Sequence, residues 1–264
     1  MVSASIGDDQ RFAFGENWRL FLETIDEARI TAAERSLRSM LQVDRLDGRS
    51  FLDIGCGSGL FSLAARNLGA TVHSFDRDPR SVACAEELKR RYRSADAQWT
   101  ITVGDALLEA SGPTYDVVYS WGVLHHTGDL WRALELAGRR VKGDGHLFVA
   151  LYNDQGWLSR YWSLVKRLYG SGGIGRAIAV AVHAPYFVGL RSLLRLLRRQ
   201  GPLPRGMSLW RDLHDWLGGW PFEVASPAAV VRFCRERALI PVRVLTAGRR
   251  HGCNEFVFRR SDLG

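Results

Sequence analysis

Seven consecutive residues combine an acid with closely spaced glycines, Asp53-Ile54-Gly55-Cys56-Gly57-Ser58-Gly59. They follow a short apolar run and precede a helical pattern, so the amides at the start of that helix would face a ligand. Glycines lack a Cβ, which lets a ligand lie against the backbone. The Asp53 carboxylate would repel a pyrophosphate and attract an ammonium group. The G-x-G-x-G spacing with Asp53 therefore favours an amino-acid-like ligand over a dinucleotide.

Further acids follow the next strands of the pattern. Asp76 ends the second predicted strand, where a carboxylate can accept hydrogen bonds from two ribose hydroxyls. Asp105 follows the third strand and either contacts a ligand or caps the turn after it. Asp78 is interpreted as the N-cap before Pro79, and Cys56 as a small residue that fills space in the loop.

Three histidines are candidate general bases. His125 and His126 follow the fourth predicted strand; one of them could face a substrate while the other packs. His214 lies in the aromatic segment from Met207 to Trp220, which fits either a pocket or an amphipathic helix that buries Trp210. The sequence has neither zinc-ligand spacing nor a carboxylate triad, so we predict no required metal.

An alternation of strands and helices must position these residues. Periodicity predicts a helix over Glu16 to Gln42 and then alternating elements. The predicted strands are Phe51 to Gly55, Thr71 to Asp76, Trp99 to Val103, Tyr115 to Ser120 and Gly145 to Leu151. The predicted helices are Leu60 to Leu68, Pro79 to Arg93, Leu130 to Val141 and Pro227 to Ala238. This order predicts a doubly wound α/β fold with a mostly parallel sheet, whose ligands bind at the carboxyl ends of the strands. Val242 to Leu245 and Glu255 to Arg259 predict an antiparallel hairpin at the sheet edge.

The residues from Gly48 to Leu151, with the closing strands, resemble class I S-adenosylmethionine (SAM)-dependent methyltransferases, in particular the ubiquinone-biosynthesis O-methyltransferases. The resemblance rests on the glycine segment, on Asp76, on Gly104-Asp105-Ala106, and on Tyr115-Asp116-Val117-Val118 through Val123-Leu124-His125-His126. It implies a Rossmann-like sheet of seven strands with the last strand antiparallel. It also implies SAM as cofactor and S-adenosylhomocysteine (SAH) as product.

The same resemblance assigns cofactor-binding roles. Asp53 and Gly55 to Gly59 would hold the methionine part, Asp76 the ribose and Asp105 the adenine amine, while Gly122 to Leu124 would line the region near the sulfur. The expected cofactor-binding residues are Asp53, Gly55, Cys56, Gly57, Gly59, Asp76, Arg77, Asp105, Ala106, Trp121 and Gly122.

The pattern divides the chain into four parts. We expect an N-terminal helical segment (1–47), a SAM-binding core (48–151), a helical insertion that caps the substrate (152–226), and a final helix with the closing strands (227–264). Tyr152, Asn153 and Trp157 would begin the cap at the pocket edge, and Trp210 is a further candidate for substrate binding.

The charge of the chain is concentrated in this predicted cap. The net charge is +8, yet no acidic residue occurs between Asp154 and Asp212. Leucines at helical spacing over 190–199, with arginines on the other side, predict a basic amphipathic helix. That helix fits a solvated cap, an anionic membrane surface or an anionic substrate.

Composition predicts a cytoplasmic protein. No apolar run approaches the roughly 18 residues of a membrane-spanning helix, and the N-terminus lacks the features of a signal peptide. Cys56, Cys84, Cys234 and Cys253 form no C-x-x-C pair, which favours reduced thiols.

The hypothesis from sequence is a methyltransferase acting on a small-molecule acceptor that is hydrophobic or anionic. Oxygen is favoured over nitrogen or carbon because of the family resemblance and because His125 and His126 could supply the base that a hydroxyl usually needs; His214 is a further candidate base. Two alternatives stay open: an RNA methyltransferase, disfavoured because no nucleic-acid module is present, and a membrane-associated SAM-binding protein without turnover.

Overall fold

The computed structural model describes residues 21–108, 112–190, 209–248 and 252–261. The described chain divides into two units. The core unit comprises the described residues of 21–154 and 224–261, and the helical unit comprises those of 155–223. The predicted basic helix over 190–199 lies almost wholly outside the described residues.

A seven-stranded sheet forms the centre of the core unit. Its strands are β1 (Ser50–Ile54), β2 (Thr71–Asp76), β3 (Trp99–Val103), β4 (Tyr115–Trp121), β5 (Val141–Tyr152), β6 (Leu239–Leu245) and β7 (Cys253–Arg260). Their order is β3-β2-β1-β4-β5-β7-β6. Strands β1 to β5 are parallel, whereas β7 runs antiparallel to both β5 and β6. The predicted doubly wound fold and the closing antiparallel hairpin are confirmed.

The chain reverses its direction of travel across the sheet between β1 and β4. Strand β1 pairs with β2 on one side and with β4 on the other. The carboxyl ends of β1 and β4 are therefore neighbours, and their loops border the crevice in which ligands of such sheets bind.

Helices cover both faces of this sheet. They are α1 (Glu27–Leu41), α2 (Leu60–Asn67), α3 (Pro79–Tyr92), α4 (Leu130–Arg139) and, after the helical unit, α8 (Pro227–Arg235). Each of α1, α3, α4 and α8 begins after a side-chain N-cap: Asp26, Asp78, Asp129 and Ser226 accept a backbone N–H from their own first turn. These caps satisfy donors that a helix start otherwise leaves unpaired.

The sheet separates two apolar clusters. On one face, Phe51, Trp99 and Phe148 pack with residues of α1, α2 and α3. On the other face, Leu52 and Val149 pack with residues of α4 and α8. Neighbouring strand residues thus enter opposite clusters, as the alternation of side chains in a strand requires.

The helical unit is built from α5 (Trp157–Gly170), α6 (Gly173–Ala184) with a turn of π-helix at Pro185–Leu190, and α7 (Leu209–Gly218). Its buried apolar side chains are Trp162, Val165, Tyr169, Ala179, Leu213 and Leu217. Lys166 is also buried here and donates a hydrogen bond to the carbonyl oxygen of Trp216. Burial lowers the pKa of this amine to about 7.

Several predicted boundaries are wrong: α8 ends at Arg235 instead of Ala238, β6 begins at Leu239 instead of Val242, and β7 begins at Cys253 instead of Glu255. The helix expected over Glu16 to Gln42 is interrupted within the described residues, because Asp26 has an extended backbone and starts α1 afresh. The helix expected to reach Val141 ends at Arg139, and β5 begins at Val141 instead of Gly145. Among the described residues, no helix is both long and apolar enough to cross a membrane.

Candidate active site

The loop after β1 is a turn with three glycines. At two of them, Gly55 and Gly59, a side chain would collide with a neighbouring residue. Gly55, Gly57 and Gly59 all have positive φ, in the left-handed region that favours glycine. A Cβ on Gly55 would lie 2.4 Å from Cγ1 of Val123, and a Cβ on Gly59 would lie 2.9 Å from that of Ala85. Larger residues are therefore excluded by backbone strain and by steric conflict.

Asp53 lies in β1 just before this loop, and its side chain is on the sheet face that α2 covers. It is buried, and its Oδ2 accepts a 2.5 Å hydrogen bond from the Ser62 hydroxyl. Ser62 in turn lies 2.7 Å from the Ser74 hydroxyl, which accepts the Trp99 Nε1–H. Burial raises the pKa of Asp53 to about 7 against the lowering effect of Ser62, and the charge of Asp76 raises it further.

Asp76 joins the end of β2 to the glycine loop. Its Oδ2 accepts the amide N–H of Gly57 at 3.0 Å, and its Oδ1 accepts that of Asp78 at 2.9 Å. Burial raises the pKa of this carboxyl, while the backbone hydrogen bonds from Asp78 and Gly57 oppose the rise. A third backbone hydrogen bond, from Arg77, also opposes the rise, and a carboxylate with about four acceptor positions then keeps one for a further donor.

Asp105 follows β3 and is held from two sides. Its Oδ1 accepts the amide N–H of Leu107, which is the capping role that the sequence left open, and its Oδ2 lies 3.3 Å from Nε of Arg77. Ala106 is half-buried and packs against the apolar cluster on the α4 side of the sheet. The amide of Gly104 donates to the carbonyl of Asp76, which ties the loops after β2 and β3 together.

The end of β4 supplies Trp121, Gly122 and the two histidines. Trp121 is exposed, and Gly122 has a positive φ. His125 and His126 form one short 3-10 turn but occupy different environments. His125 is fully buried, whereas His126 is half-buried.

His125 is fixed by the end of β5. Its Nδ1 accepts the amide N–H of Tyr152 at 3.2 Å, and the two ring centroids are 3.9 Å apart. Because Nδ1 is an acceptor, the ring proton lies on Nε2 and the ring is neutral. Burial raises the pKa of the Tyr152 phenol to about 12, so this hydroxyl stays protonated at neutral pH.

Asn153 connects three segments of the core unit. Its side-chain Nδ2 donates a hydrogen bond to the carbonyl oxygen of Gly248, and its side-chain Oδ1 accepts one from Nδ2 of Asn254. Its backbone also bridges Ala225. Both ends of its side chain are therefore engaged within the protein.

The remaining predicted residues lie in the helical unit. Trp157 begins α5 and Trp210 lies on α7; both are exposed. His214, also on α7, has its Nδ1 2.7 Å from the Tyr169 hydroxyl and its ring against Trp210. The predicted site residues between Asp53 and Asn153 thus all lie in the core unit. Trp157, Trp210 and His214 lie in the helical unit.

Sequence reasoning missed the polar chain behind the loop. Ser62 and Ser74 are both buried, and they connect Asp53 to Trp99. A serine on the inner face of an otherwise apolar helix was the available signal for Ser62. Cys56, by contrast, is buried, and burial raises the pKa of its thiol well above the ordinary value, which disfavours a nucleophilic role.

Comparison with known proteins identifies this part of the chain. A family model described as a methyltransferase domain matches residues 52–147. The matched segment carries the glycine loop, Asp76, Asp105 and both histidines of the β4 end, and over this segment the chain resembles SAM-dependent methyltransferases.

Curated relatives of the matched segment include ubiquinone biosynthesis O-methyltransferases. The protein from Brucella ovis is 35% identical over 108 residues, which are 41% of this chain and 43% of the relative. The one from Paracidovorax citrulli is 32% identical over 108 residues, or 41% and 45% of the two chains. The alignments thus span less than half of these relatives.

A solved structure supports the fold over a longer range. Magnesium protoporphyrin IX methyltransferase from Synechocystis PCC 6803, with bound SAM, matches with a TM-score of 0.59 at 12% identity. The match covers 98% of this chain and all of that one. At this identity the likeness concerns the fold alone.

Proposed function

We propose that this chain is a SAM-dependent methyltransferase that transfers a methyl group to a small-molecule acceptor. The observation that carries the proposal is the carboxylate of Asp76, which accepts the Gly57 amide at 3.0 Å and so lies against the open glycine loop. A ribose-binding acid and a loop that can hold a methionine part are thereby adjacent.

The residues present fit SAM in three respects. Gly55, Gly57 and Gly59 present a backbone without side chains at the end of β1, so a ligand can approach their peptide groups. Asp76 keeps an acceptor position for a ligand hydroxyl beside its backbone hydrogen bonds. Asp53 and Asp76 each have a raised pKa, so the site favours a ligand that brings positive charge. We assign Asp105 and Arg77, with Ala106, to the adenine side.

When bound, SAM supplies an electrophilic methyl group on a sulfonium. The chain's own task is then to bind the acceptor, exclude water and receive a proton where the acceptor is a hydroxyl. We propose His126 as that base because its ring is half-buried. His125 is the positioning residue, since its Nδ1 already accepts the Tyr152 amide and the ring is fully buried.

Oxygen remains our proposed target atom, with Tyr152, whose ring contacts both histidines, as a substrate contact and Trp121 on the cofactor side. The relatives reported above are named for ubiquinone biosynthesis and for magnesium protoporphyrin IX, and none for RNA, so the RNA alternative is not favoured. The roles of Asn153, Trp157, Trp210 and His214 in acceptor binding stay predictions, as does turnover without a metal.

The test is a calorimetric titration of the full chain with SAH. Wild-type protein should bind, and Asp76→Asn should weaken binding at least tenfold, because a hydroxyl hydrogen bond to a charged acceptor is worth about 1.5–3 kcal/mol. The matched control is Asp116→Asn. Asp116 lies near the amino end of β4, at the opposite end of the parallel strands from the glycine loop. There it accepts hydrogen bonds from Ser50 and Lys142.

The control separates affinity from stability. Asp116→Asn should lower the melting temperature and leave SAH affinity within about twofold of wild type. Equal SAH affinity in wild type and Asp76→Asn would remove the cofactor assignment, and no binding by folded wild type would remove the proposal.

A further inference from the structure

Helix α5 has two apolar faces, of which the helical unit buries one. The buried face contributes Trp162, Val165 and Tyr169 to the unit's core. The other face carries large apolar side chains separated by four, three and four residues: Trp157, Tyr161, Leu164 and Leu168. That spacing places them on one side of the helix. Trp157 is 76% exposed and Leu164 is 68% exposed.

Helix α6 repeats this arrangement beside α5, against which it packs. Ile174, Ile178 and Val182 recur every four residues and are exposed, with Ile174 at 81%. Tyr186 follows in the π-helical turn and is exposed too. Two neighbouring helices therefore each present an apolar stripe, which is more apolar surface than scattered exposed side chains account for.

The charged side chains of α5 and α6 are all of one sign. Arg160 and Arg167 on α5 are exposed, whereas Arg176 on α6 lies over the ring of Tyr169. In the sequence no aspartate or glutamate occurs between Asp154 and Asp212, while ten arginines and lysines do. The two helices α5 and α6 combine apolar, aromatic and basic side chains and contain no acid in their sequences, which makes them complementary to an anionic lipid interface.

We propose that α5 and α6 dock the helical unit onto an anionic lipid surface. Trp157, Tyr161 and Tyr186 have the amphipathic rings that concentrate at membrane interfaces. The arginines would pair with lipid phosphates while the aliphatic stripes enter the interfacial region. A second copy of this chain is the weaker occupant, because joining two such faces would bring like charges together without a compensating acid.

Vesicle flotation of the full chain tests this directly. The protein should float with phosphatidylcholine vesicles that contain phosphatidylglycerol, and at least tenfold less with phosphatidylcholine alone. Ile178→Glu and Leu164→Glu should each reduce binding at least tenfold. Each substitution replaces an aliphatic side chain at the interface by a carboxylate, which the anionic lipid repels.

The matched control is Val242→Glu on β6 of the core unit. Val242 is 44% exposed and Ile178 is 48% exposed, so the two substitutions add a carboxylate at equally accessible apolar positions. Val242→Glu should leave vesicle binding unchanged. Far-UV circular dichroism of all variants checks that a loss of binding is not a loss of fold.

The charge contribution is tested separately. A basic residue near an anionic surface is worth about 1 kcal/mol, or about fivefold in binding. Arg160→Gln with Arg167→Gln should therefore weaken binding about 25-fold, and raising the salt from 0.1 to 0.5 M should weaken that of wild type.

Three results would overturn the proposal: no flotation at low salt, equal flotation with neutral and anionic vesicles, or a salt-resistant dimer that Ile178→Glu dissociates. The last result would assign the face to a second copy. None of these measurements depends on methyl transfer, so the proposed function and this inference can fail independently.

Discussion

Asp53→Asn should stabilise the ligand-free protein at alkaline pH and weaken its cofactor binding. The native carboxyl has a pKa of about 7, and the ordinary value is 3.8. Between those values the folded state binds more protons than the unfolded state, so the free energy of unfolding falls as pH rises. Above pH 7 the folded protein carries a buried negative charge on Asp53. Asparagine would remove this charge, and its side-chain oxygen would still accept the hydrogen bond from Ser62.

The size of the effect follows from that shift. A shift from 3.8 to about 7 corresponds to about 4 kcal/mol at about 1.4 kcal/mol per pKa unit. The new amide group of asparagine is a buried donor, and leaving it unsatisfied costs about 1–3 kcal/mol. We therefore expect a net gain of about 1–3 kcal/mol in the free energy of unfolding at pH 8, and a loss at pH 4, where aspartic acid is already neutral.

Urea unfolding from pH 4 to 9 measures this change of sign. Calorimetry with SAH at pH 6 and 8 should show affinity rising with pH in wild type and not in Asp53→Asn, because only the ionised carboxyl attracts the ammonium group of the ligand. Ser62→Ala is the matched control: it removes a hydrogen bond that lowers the pKa of Asp53, so its transition should move to higher pH. Parallel stability profiles for wild type and Asp53→Asn would refute the buried-charge argument.

Three further changes test other parts of the structure. Gly55→Ala should reduce SAH affinity at least tenfold in calorimetry, whereas Gly48→Ala, which has a positive φ but open space at its Cβ, should not. His126→Ala should lower kcat by about 10²–10⁴-fold on a hydroxyl acceptor without lowering the melting temperature, while His125→Ala should lower the melting temperature. The free energy of unfolding should rise between pH 7 and 10.5 by up to about 1.4 kcal/mol per pH unit, since unfolded Lys166 binds a proton that the folded state releases; Lys166→Met should flatten this rise in urea titrations.

The sheet could be predicted from sequence wherever local signals agree. β2 and β3 have the predicted limits because both are rich in β-branched and aromatic residues, and a glycine lies shortly before β2 and directly after β3. The start of β5 was missed because Lys142-Gly143-Asp144-Gly145 has the composition of a turn. In the structure it is an irregular part of the strand, where Asp144 has positive φ and the pairing with β4 shifts register. Such an irregularity depends on the partner strand, which a local pattern does not contain.

The orientation of Asp53 was within reach of sequence reasoning, whereas the difference between the histidines was not. Side chains alternate along β1, so Asp53 shares the face of Phe51 toward α2, where Ser62 meets it. His125 is buried because the end of β5 brings Tyr152 against it from 27 positions further along the chain. Adjacent identical residues give no local signal of which one a distant strand will cover.

The helical unit shows the same limit for a whole helix. Apolar residues at helical spacing on α5 predict an amphipathic or buried helix, yet two such sets exist and periodicity does not rank them. The set with Trp162 and Val165 is buried because Ala179 on α6 and Leu213 on α7 pack against it. The set with Trp157 and Leu164 stays exposed, since the unit has no described element that covers it. Exposure of this apolar stripe to water is unfavourable. An anionic interface would bury the stripe and attract the arginines beside it, which would remove this cost.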